Sequence, residues 1–279
     1  MSRTDLLCLN RVIKPQIPLE EFLKFTAGLG IQYVEVRNDF TSKGILDGLS
    51  DAALQMSFKE TGVKALTINA LYPFEDVKVL KENVEKLKDL IAEAKRINCP
   101  QIVLCPLNDA NDKRSTAQRA DELVTALNAY GPLFAEAKMI GLVEPLGFAI
   151  CSLRTKKTAL EGIARCHYPE SYQLLHDTFH HYLSGETEFF PKQTAIVHVS
   201  GVLAGKAKAA ITDDDRILVT EDDIMDNRGQ VATLLEGDCK APISYEPFSS
   251  QVRDLPLAEL KTQLQKSIDY LFDDTLPKS

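Results

Sequence analysis

Short β-rich runs alternate with longer amphipathic stretches along almost the whole chain, and this alternation restricts the fold more than any other feature. The runs are 5–10 (DLLCLN), 32–37 (QYVEVR), 64–69 (KALTIN), 101–106 (QIVLCP), 140–145 (IGLVEP), 172–177 (YQLLHD), 194–199 (TAIVHV) and 242–247 (PISYEP). Helical periodicity fills the intervals, most clearly in LEEFLKFTAGLG ending at Gly30, in VKVLKENVEKLKDLIAEAKRI, and from Ser115 to Lys138. A last helix, AELKTQLQKSIDYLF, follows the eighth run. Strand then helix, repeated eight times without a low-complexity linker, predicts an α/β fold: a single (β/α)8 TIM barrel over residues 1–279. The length suits one such barrel, typically about 250 residues. The Asp- and Ala-rich stretch from Gly201 to Asn227 is the longest candidate loop, follows strand seven, and is placed to act as a lid.

Two of the strands end on the same dipeptide, Glu144-Pro145 and Glu246-Pro247. Proline disfavours helix for the residue before it and removes a ladder donor, so each Glu is held extended where its strand stops. In a parallel barrel that end faces the mouth, where active sites lie. Between the two lie Asp177 in LLHDTFHH and His198 in AIVHVSG. Singly, a strand-end Glu is commonly solvated, an Asp is commonly a helix N-cap, and a His in an apolar run is commonly a core residue. Four such residues at four strand ends instead form the ligand set of one divalent metal ion. Two Glu, one Asp and one His make a hard, oxygen-rich site suited to Mn²⁺, Zn²⁺, Co²⁺ or Mg²⁺.

Composition narrows the partners. With 32 basic and 40 acidic residues the formal charge is −8, which argues against a nucleic-acid surface. The first residues lack the apolar core of a signal peptide, and no run approaches the ~20 apolar residues of a membrane span, so the expected location is the cytoplasm, with no membrane partner. The six cysteines show no CxxC spacing and read as reduced, buried apolar residues; Cys105, at a strand end, is the one placed to face the site. No phosphate-binding glycine loop appears, so no nucleotide cofactor is expected. Glu35, Arg37, Asn69, Asn108 and Arg154 fall at or just beyond strand ends and form a candidate polar rim, with Arg37 and Arg154 taken as substrate contacts. Glu35 and Arg37 alternate onto one strand face, where an inward ion pair would fill the barrel. There is no tryptophan, which leaves Tyr72, Phe74, Phe148 and Phe248 as candidate stacking surfaces. His176 is turned to the opposite strand face from Asp177, and His181 and His167 carry no role.

Glu144, Asp177-Thr-Phe-His180, His198 and Glu246, in this order, resemble the xylose isomerase-like TIM-barrel superfamily of sugar isomerases and epimerases. CLN in strand one, VEVR in strand two, INAL after strand three and the DDDR segment before Ile217 resemble the inosose (keto-inositol) isomerases of inositol catabolism within it; HDTFH is shared with D-tagatose 3-epimerase-like enzymes. The resemblance implies a metal-dependent isomerase or epimerase whose substrate is a small polyhydroxylated ketone, a keto-inositol or ketose, reacting through an enediolate. It implies Glu246 as the initiating base with Glu144 as its partner, His180 on a substrate oxygen, and Arg216 binding substrate from the loop after strand seven. Arg154 departs from the pattern, since a smaller polar residue is expected there in keto-inositol isomerases. Three alternatives stand beside this reading: a keto-inositol dehydratase using the same metal, an endonuclease IV-like metal nuclease, and a noncatalytic sugar-binding barrel. A homo-oligomer is compatible with the sequence.

Overall fold

The eight expected strands pair in chain order, and the last closes on the first. They are β1 (Leu7–Asn10), β2 (Tyr33–Arg37), β3 (Lys64–Leu71), β4 (Gln101–Leu104), β5 (Ile140–Val143), β6 (Tyr172–Asp177), β7 (Thr194–Val199) and β8 (Ile243–Tyr245). All neighbours are parallel, making a closed eight-stranded barrel. The computed structural model describes residues 6–40 and 43–273; Asp5, at the start of the first expected strand, lies outside the described residues.

Helices α1 (Leu19–Ala27), α2 (Asp51–Thr61), α3 (Leu80–Arg96), α4 (Thr116–Ala137), α5 (Lys156–Arg165), α6 (Thr178–Ser184), α7 (Asn227–Glu236), α8 (Ser250–Arg253) and α9 (Leu257–Phe272) follow the strands. Among the described residues, no helix is long and apolar enough to cross a membrane. Local chemistry sets the boundaries. Ser115 caps α4 and Gln118 reaches back to complete a capping box, while Lys138 ends the helix in the left-handed region. Helix α1 stops at Ala27, short of Gly30: Gly28 caps it, and the chain turns out through Gly30 at φ +74°.

Strand alternation divides side chains between two environments. Leu9, Val34, Val36, Leu104, Val143, Leu174, Val197 and Tyr245 face outward into the core shared with the helices. Inward, the barrel is two-sided. Val103, Leu142, Leu175 and Ile196 form an apolar lining on β4 to β7, whereas the side made by β1, β2, β3 and β8 carries Asn10, Glu35, Thr67 and Ser244, all fully buried. His176 points outward as alternation requires, stacked on Phe189 and bonded to Gln230.

The segment after β7 is folded rather than open. Gly201 and Ile217 exchange two backbone hydrogen bonds of 2.7 and 2.8 Å, and Leu203 pairs antiparallel with Asp223. Its Val202, Ile211 and Met225 pack with Phe179 and Leu183 of α6 in a small apolar cluster.

The Ser115→Ala substitution should cost about 1 kcal/mol by losing the N-cap of α4. Urea unfolding monitored by circular dichroism will show a lower midpoint at unchanged slope.

Candidate metal and substrate site

Glu144 and Glu246 sit one residue past β5 and β8, but their N–H groups still join the ladder, to Leu104 O at 3.1 Å and Val199 O at 3.0 Å. Pro145 and Pro247 have no N–H to continue it, so pairing stops with each carboxylate fixed at the mouth. Asp177 ends β6 and also caps α6, accepting the Phe179 N–H at 2.7 Å through Oδ1. The cap uses only Oδ1; Oδ2 faces the Arg216 guanidinium, which donates to it at 2.7 Å, so capping does not itself occupy the oxygen a cation would need. His198 is an inward residue of β7. One ligand atom from each of Glu144, Asp177, His198 and Glu246 lies within 4.8 Å of the others, and all four residues are buried.

The imidazole of His198 is hydrogen-bonded at Nε2 and faces two further carboxylates at Nδ1. Nε2 lies 3.1 Å from Glu35 Oε2 and 3.0 Å from Oε1. Nδ1 lies 3.0 Å from Glu246 Oε2 and 3.4 Å from Glu144 Oε1, without hydrogen-bond geometry to either. A fully buried ring nitrogen with no hydrogen-bond partner, aimed between carboxylates, fits a metal ligand; the carboxylate on its other nitrogen is the usual support for such a histidine. The donor set therefore suits a divalent ion. Burial works against charge on His198, but Glu246 and Glu35 overcome it and raise its pKa well above the usual imidazole value. Burial likewise opposes ionisation of Glu35, yet His198 keeps that carboxyl below its ordinary range.

Glu35 and Arg37 both face inward, but they do not pair with each other. Glu35 accepts from Thr67 Oγ1 at 2.6 Å, Asn69 Nδ2 at 3.0 Å, Asn10 Nδ2 at 3.3 Å and Ser244 Oγ. Arg37 grips Asp39 through Nε and Nη2 at 3.0 and 2.8 Å and reaches Glu246 through Nη1 at 2.8 Å. Residues two apart on a strand project in parallel, so each meets the neighbouring strands rather than the other.

Arg216 comes from the loop as expected, but it is not a solvated charge. It is 1% exposed and its Nη2 donates to Asp177 Oδ2 at 2.7 Å and Glu246 Oε2 at 2.9 Å. Nε binds Ser200 Oγ at 3.0 Å, Nη1 reaches Asp213 at 3.2 Å, and the guanidinium lies 4.7 and 4.8 Å from the ring centres of Phe179 and Phe248. Burial pushes the Asp177 carboxyl up despite Arg216. At Glu246 burial acts the same way, but His198, Arg216 and Arg37 outweigh it and hold that carboxyl far below the usual carboxylate range.

Above the ligands is a cavity of 270 Å³ lined by Arg37, Asn69, Asn108, Cys105, Glu144, His180, Arg216 and Glu246, with Tyr72, Phe148 and Phe248 on its walls. A larger groove of 360 Å³ between the β7 loop and α9 contains none of these residues and no cluster of ligand-type side chains. His180 packs edge-on against Phe148 and Phe179, and burial together with Arg216 lowers its pKa to about 4, so it is neutral at pH 7. Its Nδ1 is buried without a partner.

Two sequence expectations need correction. Arg154 does not line this cavity; its Nη2 and Nε donate to the Gly147 carbonyl at 2.9 and 3.3 Å, and it borders two adjoining smaller spaces. Gly147 passes so near α6 that a Cβ there would clash with the His180 carbonyl oxygen, so Arg154 fixes the loop beneath His180. Phe74 is fully buried in the strand–helix core and offers no stacking surface. His181 bonds Lys156 at 2.7 Å, away from the ligands. Cys105, the cysteine the sequence places to face the site, lines the cavity; Glu35 as a support for His198 was not resolved by sequence, although the inward alternation of VEVR was an available signal.

The model of the xylose isomerase-like TIM barrel family matches residues 23–273. The chain belongs to this family. A crystallised xylose isomerase domain-containing protein from Salmonella typhimurium LT2 is 32% identical, with 98% of each chain covered and a TM-score of 0.88. The IolI protein with a bound zinc atom is 20% identical over 98% of this chain and 99% of its own, with a TM-score of 0.87. D-Psicose 3-epimerase, crystallised with D-fructose, shares 12% identity over 95% and 98% of the two chains at a TM-score of 0.69. At these last two identities the likeness is one of fold. No curated protein matches the chain by sequence.

Two outcomes follow for metal binding. Asp177→Ala and His198→Ala should each abolish stoichiometric Zn²⁺ or Mn²⁺ in chelator-equilibrated protein, read by elemental analysis. Glu246 and Glu35 favour a proton on His198, so a cation bound there competes with protons for the imidazole. Affinity should therefore rise with pH, and calorimetry in buffers of different ionisation enthalpy should show proton release; pH-independent affinity would contradict the assignment.

Proposed function

We propose that the chain is a divalent-metal-dependent isomerase or epimerase of a small polyhydroxylated ketone, a keto-inositol or ketose, acting through an enediolate. The observation that carries this reading is the cluster itself: ligand atoms of Glu144, Asp177, His198 and Glu246 lie within 4.8 Å of one another, and two of the four, Glu144 and Glu246, line a cavity at the barrel mouth. Its size, near the lower end of the ~300–1,000 Å³ common for ligand clefts, favours a small substrate. Asn69, Asn108 and the neutral His180 offer hydrogen bonds to hydroxyls, while Phe148, Phe248 and Tyr72 offer apolar surface for carbon-bound hydrogens. A divalent ion held by the four residues supplies Lewis acidity, polarising the carbonyl and acidifying the adjacent C–H.

Glu144 and Glu246 come from β5 and β8, on opposite sides of the barrel, and both line the cavity. They are the proton carriers: one, as carboxylate, takes the carbon-bound proton, and the other, as carboxylic acid, delivers its own proton to the enediolate. Arg37 and Arg216 keep Glu246 deprotonated, the form a base requires, at the expense of proton affinity. Glu246 is thereby suited to a C–H already acidified and poorly suited to an unactivated one. His180, uncharged, donates or accepts a hydrogen bond at a substrate hydroxyl without adding charge.

In D₂O with keto-inositols and ketohexoses, proton NMR should show deuterium entering the carbon next to the carbonyl in the presence of chain and metal. Loss of a hydroxyl would indicate the dehydratase reading, and no exchange with any ketone would remove the isomerase proposal. Glu246→Gln should lower kcat by about 10²–10⁴ while KM changes much less, because proton abstraction is used in the transition state. Wild-type turnover in that variant would leave Glu246 a ligand only.

A further inference from the structure

The ligand carboxylates are not held equally. Glu246 accepts from Asn10, Arg37 and Arg216, and Asp177 from Arg216 and the Phe179 N–H. Glu144 has one side-chain donor, the thiol of Cys105, with Sγ 3.1 Å from Oε2. Strand register creates this contact: Leu104 pairs with Val143, so the next inward residue of each strand, Cys105 and Glu144, stand side by side. The thiol's backbone is fixed on both flanks, its N–H bonded to Leu71 O at 3.1 Å and its C=O accepting from Phe74 N at 3.0 Å. Cys105 also lines the mouth cavity, and of the six cysteines it alone is not fully enclosed.

We propose that Cys105 is a positioning residue for Glu144, its thiol holding Oε2 back so that Oε1 is the oxygen presented to the ligand cluster. Oε1 is the atom that approaches His198 Nδ1, at 3.4 Å, while Oε2 is turned to the sulfur. Without the thiol no side-chain donor selects between the two oxygens, and the carboxylate can rotate about its terminal torsion, which has broad wells. This inference rests on Glu144 being a metal ligand, as proposed above. It adds that a weak neutral donor, in place of a guanidinium, orders this carboxylate.

The test uses Cys105→Ser, which keeps a donor, and Cys105→Val, which fills the space without one; Cys105→Ala adds a cavity control. Zn²⁺ and Co²⁺ are titrated into the metal-stripped full chain. The Val and Ala variants should bind Zn²⁺ about tenfold more weakly, the effect expected when a ligand loses its supporting hydrogen bond, and Ser should stay close to wild type. Equal affinities for Ser and Val would overturn the inference. So would a thiolate-to-cobalt charge-transfer absorption in the wild type that disappears in Cys105→Ala, because it would make the sulfur itself a ligand. Wild-type binding is measured first: a wild type that takes up no divalent ion refutes the metal reading and this inference together, whereas normal wild-type binding with indistinguishable variants refutes this inference alone.

Discussion

The imidazole of His198, clamped between Glu35 on one side and Glu144 with Glu246 on the other, is the contact on which the centre of the barrel depends. Around it four buried carboxylates, those of Glu35, Glu144, Asp177 and Glu246, face two buried guanidiniums, those of Arg37 and Arg216. Buried charge left uncompensated is expensive. Glu246 and Glu35 favour a proton on His198, and that proton reduces the imbalance. A divalent cation held there would bring a larger charge to the same position, and the need for positive charge is built into the polar side of the barrel and is not confined to the four residues that could hold it.

That need also explains the two-sided interior. A barrel lined throughout with aliphatic residues would pack well, but it could not carry Glu35. Asn10, Thr67, Asn69 and Ser244 surround Glu35 with donors, and this satisfies an otherwise costly carboxylate at the barrel axis. The apolar lining from β4 to β7 supplies the rigid counterpart against which the ligands are set.

Much of this was legible in the chain. Strand and helix periodicity gave the barrel, because each element carries its own local signal, and the Glu-Pro pairs marked two strand ends because proline acts on its immediate neighbour. Asp177 and His198 were found by residue type and order. The supports were harder to read. The contact of Glu35 with His198 spans β2 and β7, and that of Cys105 with Glu144 depends on the register of β4 against β5; both require the closed barrel before the partners can be named. Arg216 was placed correctly on its loop, but its burial was not readable, since only the fold of residues 201–226 and the rings of Phe179 and Phe248 enclose it. Arg154 shows the opposite error: a position beyond a strand end was read as contact with the site, when a local backbone carbonyl had already engaged it.

The loop after β7 is fastened by a side chain inside the barrel as well as by its own backbone pairs. Its backbone pairs hold it together and its apolar side chains seat it on α6, while Arg216 joins it to Asp177 and Glu246. Swinging the loop outward would separate one guanidinium from two carboxylates that share it and leave like charges facing each other. The latch is therefore set inside the barrel: how tightly the loop stays shut is governed by the charge left behind on the floor of the mouth, and sequence changes along the exposed part of the loop would alter it far less than a change of charge at Asp177 or Glu246.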